Sequence, residues 1–255
     1  MKLKRIWLFP LVLTALLPLR GQVNIERFVA GVDSSAFLSA SQLNIEYKKG
    51  NVDFQQISLE HLSRWRLEKQ SFLVIYKGEL VWENGRRFVA EMLLHGRYMH
   101  RLTKGMYGEF FLQSDFNKAR LLDSRSLGGA GFRLPGAWGM KNMTLGLSLF
   151  FEHEEYGLPS SARHAPRTEA WRGNGYISLA HEIREGLKAS FSAYVQPDVS
   201  DAGDLKAIAA LALDIGITEK WSIALTGDGR YDSRPPDGIR EWDVNLDVGI
   251  NWMIR

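Results

Sequence analysis

The chain has 255 residues, 45% of them hydrophobic, with 24 Gly, 13 Phe, 8 Trp, 8 Tyr and no Cys. Absence of Cys excludes disulfide scaffolds, thiolate zinc sites and thiol nucleophiles. Lys and Arg number 32 against 29 Asp and Glu, a net charge of +3 that would ordinarily suggest an anionic partner such as nucleic acid.

The charge is unevenly placed. Lys2, Lys4 and Arg5 form a positive start, and Ile6 to Leu19 is an apolar run broken by Pro10, Thr14 and Pro18. This is the pattern of a secretory signal peptide, with cleavage expected between Gly21 and Gln22. The run is too short for a comfortable membrane span of about 20 residues. Residues 1–21 hold four bases (Lys2, Lys4, Arg5, Arg20) and no acid, so the mature chain has 28 bases against 29 acids, a net charge of −1. The nucleic-acid reading thereby loses its support. The expected organisation is a cleaved signal peptide at 1–21, a periplasmic lead-in at 22–38, and one domain at 39–255.

Beyond the signal no 18-residue apolar stretch occurs, so no helical span is expected. The dominant period is two. Along 143–152, Leu145, Leu147, Leu149 and Phe151 alternate with Gly146, Ser148, Phe150 and Glu152. Phe72, Val74, Tyr76, Leu80 and Trp82 oppose Lys77, Glu79 and Glu83, while Phe88, Ala90, Met92, Leu94 and Tyr98 oppose Glu91, His95, Arg97 and Arg101. The same alternation runs through Ala209–Ile217 and Val244–Ile254. Such segments are strands with one apolar and one polar face. In chain order the expected strands are 39–49, 53–67, 71–83, 87–102, 105–117, 121–134, 142–155, 170–184, 187–197, 205–218, 221–233 and 242–254. An even number of antiparallel strands can close into a barrel without edges. Short connections (68–70, 103–104, 185–186, 219–220) and longer ones (113–122, 156–174, 196–205, 233–241) mostly fall at opposite ends. That is the habit of outer-membrane barrels, and it places the strand ends nearest both termini in the periplasm.

A soluble exported β-barrel would show similar alternation with its apolar face inward. Export, the uniform alternation and aromatics near strand ends favour the membrane arrangement. The fold class expected is all-β, an antiparallel transmembrane β-barrel of about twelve strands. Its lumen would be lined by Glu60, Arg64, Lys77, Glu79, Glu91, Arg97, Glu109, Arg125, Asp214, Asp228, Arg230 and Asp247. Its interfacial aromatics would be Trp65, Trp82, Tyr98, Trp221 and Trp252.

Three segments then carry a resemblance. They are Gly50-Asn51-Val52-Asp53, the run from Asp123 through Arg125 to Gly128 and Gly131, and Tyr231-Asp232-Ser233-Arg234-Pro235-Pro236-Asp237-Gly238 before a strand containing Asp243. In this order they resemble the salt-induced outer membrane protein (YdiY-like) family over about residues 39–254. The resemblance implies an outer-membrane barrel in a Gram-negative envelope and assigns no site residues. The chain departs from the usual assembly signal in ending Trp252-Met253-Ile254-Arg255, without a final aromatic.

Catalytic signals are thin. His153 stands between Glu152 and Glu154, and His164 lies in the longest connection; both are expected at the outer rim. His61 and His181 fall on apolar parity. No Gly-x-Ser-x-Gly elbow occurs, and His153-Glu154-Glu155 lacks metal-ligand spacing. Asp198–Asp204 reads as a polar turn with calcium as the sharper alternative. The Gly128–Gly131 run lies in a strand, so close packing explains it better than a phosphate loop.

The expectation is therefore an outer-membrane protein without a cofactor and without enzymatic activity. Its partners would be outer-membrane lipid and the barrel-assembly machinery. The interleaved charges suggest pairing across a filled lumen; a narrow channel for small polar solutes is the alternative, and a lipid-modifying enzyme the third reading.

Overall fold

The computed structural model describes residues 36–49, 53–83 and 85–254. The expected signal peptide at 1–21, most of the expected lead-in at 22–38, Gly50–Val52, Asn84 and Arg255 lie outside the described residues. Twelve strands follow in order: β1 (Phe37–Lys48), β2 (Phe54–Arg66), β3 (Gln70–Glu83), β4 (Arg86–Thr103), β5 (Met106–Asn117), β6 (Leu122–Pro135), β7 (Met143–Tyr156), β8 (Arg167–Arg184), β9 (Leu187–Pro197), β10 (Leu205–Gly216), β11 (Trp221–Asp232) and β12 (Trp242–Ile254). Each begins and ends within three residues of the expectation. Neighbours in sequence pair antiparallel, and β12 pairs back to β1, closing the barrel. Helical structure among the described residues is limited to two single 3-10 turns, Lys118–Arg120 and Ala137–Gly139.

Alternation decides which side chains face out. Along β7 and β12, Leu147, Leu149, Val244, Leu246, Val248 and Ile250 are exposed, while Glu152, Glu154, Asn245 and Asn251 are buried. A wall of exposed Leu, Ile and Val this continuous is incompatible with water as the outer solvent. It suits hydrocarbon, where closure of the barrel leaves no backbone group unpaired. Aromatics collect toward the ends of this surface. Near the strand ends that carry the termini, Trp221 stacks on Trp252 at 6.2 Å, Phe37 lies 5.7 Å from Trp65, and Phe72 lies 5.0 Å from Tyr98. Tyr231 and Trp242 meet at 4.6 Å at the opposite end, which also holds Trp82.

Two expectations about parity need correction. The alternation puts Ala90 on the outward face of its strand, yet it is buried with Phe54 and Val81. The ladder shifts between Glu79 and Leu80: Glu79 faces Glu91 but Leu80 faces Val89, so Ala90 is the extra residue of a bulge. The inward face is also less polar than expected. Leu38, Ala40, Leu62, Leu73, Ile75 and Leu93 form a buried cluster inside β1–β4, so these strands are apolar on both sides toward the termini.

The glycine run of β6 has a packing reason. A Cβ at Gly129 would fall 2.5 Å from Phe150 Cβ and 2.6 Å from the Leu149 carbonyl, and one at Gly131 would overlap β7 backbone. Placing β6 this tightly on β7 lets Phe111 and Phe150 meet edge to face at 6.3 Å inside the wall.

Leu147 sits on the outward face and is 68% exposed. Leu147→Arg is expected to destabilise the vesicle-inserted barrel by about 2–4 kcal/mol, the cost of a cation facing hydrocarbon near the midplane. Denaturant unfolding in lipid vesicles measures it, and a change near zero would mean that this face meets water.

Candidate functional site: the lumen and its loop-end closure

The lumen holds a balanced set of charges on the side formed by β6, β7, β8 and β10. Glu152 on β7 is 1% exposed and accepts from three cations. Arg125 of β6 donates from Nη2 at 2.8 Å and Nε at 3.1 Å, Lys206 of β10 from Nζ at 2.8 Å, and Arg172 of β8 from Nε. Lys206 also reaches both oxygens of Glu154 at 2.8 Å, and Arg172 Nη1 donates to Asp204 at 2.9 Å. Three bases thus meet three acids. The neighbours of β7 are β6 and β8, so the Arg125 and Arg172 pairs run along the wall. Lys206 is different: β8 and β9 separate β7 from β10, so its ammonium reaches inside the bore over two intervening strands.

Smaller pairs line the adjoining wall. Lys77 Nζ lies 2.6 Å from Glu91, which also accepts from Asn117 at 2.7 Å. Gln56 donates to Glu79 at 2.9 Å. Arg97 donates to Glu109 at 3.0 Å, with its guanidinium 5.4 Å from the Phe111 ring centre. His95 and Gln113 approach at 3.1 Å, and Gln113 donates to Asp115 at 2.7 Å.

Above the network, three connections fold together as a lid. The segment Asp232–Gly238, read from sequence as a turn, makes its clasp. Asp237 Oδ2 accepts the backbone N–H of Arg163 at 2.6 Å and of His164 at 2.7 Å, holding the 157–166 connection. Arg234 donates to Asp201 at 2.8 Å, and Ser233 donates to the Gly203 carbonyl at 3.0 Å, holding the 198–204 connection. Pro236 is buried beneath them, and Gly238 turns the chain with φ 86°. A small cavity left under the lid, about 20 Å³, is lined by Arg120, Tyr156, Arg230, Pro236 and Asp243 among others. That is water-sized.

The predicted lumen residues divide. Lys77, Glu79, Glu91, Arg97, Glu109 and Arg125 are buried and joined to the pairs above. Arg64 is buried in β2 and Glu60 half-buried beside it. Asp214, Asp228, Arg230 and Asp247 are half-buried on the inward faces of β10, β11 and β12; Arg230 lies 3.6 Å from Asp232. The centre of the network, Glu152, Glu154, Arg172 and Lys206, was not among them. The signal existed: Glu152 and Glu154 share the parity of Ser148, Arg172 that of Asn174, and Lys206 that of Asp214. What parity could not show is that β10 reaches β7.

The histidines are dispersed. His153 on the outer wall contacts Glu169 at 3.0 Å and Glu155 at 3.5 Å. His164 lies in the lid, its Nδ1 2.7 Å from the Ala165 carbonyl and its ring edge-on to Tyr156. His61 faces outward between Ser41 (2.8 Å) and Ser63 (3.0 Å), and His181 is exposed near the turn after β8. In the Asp198–Asp204 turn, Asp198 accepts from Ser200, Asp201 from the Gly203 N–H, and Asp204 from Arg172. Among the described residues no group of three or more His, Asp or Glu is arranged to hold a metal ion.

Two outcomes follow. Glu152→Leu leaves three buried cations around a vanished carboxylate, and is expected to cost about 3–5 kcal/mol in denaturant unfolding of the vesicle-inserted barrel. The Asp237 carboxyl is held below the usual Asp range by the His164 N–H and then by that of Arg163. Its hold on the lid is therefore complete above the ordinary Asp value and is lost as pH falls through the lowered one. Hydrogen exchange should find the Arg163 and His164 amides protected at neutral pH, released in strong acid, and unprotected at neutral pH in Asp237→Ala.

Comparison with known proteins agrees with this architecture. A family model described as protein of unknown function, DUF481, matches residues 42–252, and the chain belongs to that family. No curated protein matches the sequence. Among solved structures the chain is similar in fold to the NanC porin, at 10% identity and a TM-score of 0.51, covering 84% of this chain and 98% of that one. The translocator domain of the autotransporter NalP from Neisseria meningitidis aligns at 12% identity with a TM-score of 0.44, covering 89% of this chain and 91% of that one.

Proposed function

We propose that this member of the DUF481 family is an integral outer-membrane barrel of a Gram-negative envelope, a structural or stress-responsive protein without enzymatic activity, sealed at its loop end. The observation that carries the reading is the bridge from Lys206 on β10 to Glu152 and Glu154 on β7, which reaches over β8 and β9 inside the bore and joins Arg125 and Arg172 in one buried cluster. A hydrated ion entering there would have to separate buried, compensated charges, each bare partner costing several kcal/mol. The lid adds a second barrier, since its three connections are tied to one another. Outer-membrane lipid and the barrel-assembly machinery are the partners this reading requires. The stress-responsive part rests on the motifs that resemble the salt-induced outer membrane protein (YdiY-like) family. The non-enzymatic part rests on His153 and His164, whose partners are carboxylates and a backbone carbonyl, and on His61, which meets Ser41 and Ser63 on the outward face of the wall with no acid among its hydrogen-bond partners in the described residues.

A narrow channel for small polar solutes is the second reading. It is favoured by a cavity of about 750 Å³ at the end that carries the termini, and by the fold shared with a porin. Planar-bilayer recording separates the two. The wild-type barrel is expected to give no unitary current steps, and a variant with Arg125, Glu152, Arg172 and Lys206 all changed to Ala should begin to conduct. Unitary steps from the wild type would sink the sealed reading and leave the channel.

A further inference from the structure

The cavity of about 750 Å³ opens between the turns that join β8 to β9 and β10 to β11, and its size is that of a small-molecule site. Further along the same wall, Ser178 and Ser192 hydrogen-bond at 3.3 Å, and beyond them Tyr176, Tyr194 and Ile208 form a buried cluster.

The wall of this vestibule has an ordered charge pattern. Glu182, Lys188 and Asp214 stand in register on β8, β9 and β10, acid, base and acid, with strands about 4.8 Å apart. Asp214 is steadied by Asn251, which donates to it at 2.6 Å and lies 3.3 Å from Ser222. Lys188 forms no ion pair within 4 Å among the described residues, although an acid lies on either side. One pleat deeper, Ser190 is 6% exposed and its Oγ has no hydrogen-bond partner. A buried hydroxyl of this kind normally finds one. The facing wall is apolar: Ala40 lines the cavity with Met253, which packs on the Leu38–Leu93 cluster.

We propose that this vestibule binds a small zwitterion, an ammonium and a carboxylate a few ångströms apart on a short aliphatic body, as in an aliphatic α-amino acid. The carboxylate is taken by Lys188 and the Ser190 hydroxyl, the ammonium by Asp214 and Glu182, and the aliphatic part by Ala40 and Met253. A simple cation would answer the two acids but leave Lys188 and the Ser190 hydroxyl without a partner, and a simple anion would be repelled by the two acids; a ligand bearing both signs engages all four groups. The site lies on the termini side of the seal, so it stands whether or not the barrel conducts.

The test is calorimetric titration of the detergent-solubilised full barrel with L-leucine, isoamylamine and 4-methylpentanoate. Leucine should saturate at millimolar concentration or below. Each single-charge analogue should bind more weakly by about tenfold or more, the value of a lost charge-assisted hydrogen bond. Lys188→Met should bring leucine down to the level of isoamylamine, and Asp214→Asn to that of 4-methylpentanoate. Both variants should retain the heat-modifiable migration of a folded barrel, and Ser190→Ala serves where either fails to fold. Absence of saturable leucine binding overturns the proposal. So does equal affinity for the three probes, or leucine affinity unmoved in the folded variants.

Discussion

An apolar surrounding offers no hydrogen bonds, so every N–H and C=O of the wall has to be satisfied from within the chain. Twelve strands meet this by closing on themselves, with β12 returning to β1. The ladder at that closure covers Ser39–Leu43 against Ile250–Ile254 and is the shortest of the twelve. Everything else follows from closure. Once the backbone is a cylinder, alternation sends half of the side chains outward and half into a bore too narrow for bulk water to solvate them all. The outward half must be apolar. The inward half must satisfy itself.

Self-satisfaction takes two forms here. Toward the loops it is electrostatic, with Glu152 gathering Arg125, Arg172 and Lys206 while Glu154 and Asp204 balance the charge. Toward the termini, inside β1–β4, it is apolar, with Leu38, Leu62, Leu73, Ile75 and Leu93 packed together. Buried ion pairs of this kind contribute little net stability against apolar packing of equal volume. Their value is in barring passage, and the lid built on Asp237, Arg234 and Ser233 closes the same end a second time. Between the apolar patch and the β8–β12 wall, where neither filling reaches, the vestibule remains.

Much of the barrel was legible in the residues because a period of two is a local property. Leu145, Leu147 and Leu149 against Gly146 and Ser148 declare a strand and its two faces without knowledge of any neighbour. The misreadings were of the places where locality fails. Ala90 changed side because a bulge added a residue opposite Glu79 and Leu80. Leu73 and Ile75 share the inward parity of Lys77 and Glu79 and face the bore as alternation requires; that the bore is apolar there depends on the neighbouring strands that complete their cluster. The Asp232–Gly238 segment looked like a turn and is one, but its importance comes from two other connections that it holds.

The sequence by itself determined the strand number, their bounds within three residues, most of the segregation of long and short connections, and which parity of each strand carries the charges. Alternation, turn residues and composition suffice for that. Which charges neutralise one another was decided by the tertiary structure, because barrel closure brings Lys206 within 2.8 Å of carboxylates that are 54 and 52 positions away along the chain. The near balance of acids and bases visible in the composition becomes a neutralised cluster only when the curvature of the barrel turns β10 toward β7 over the two strands between them.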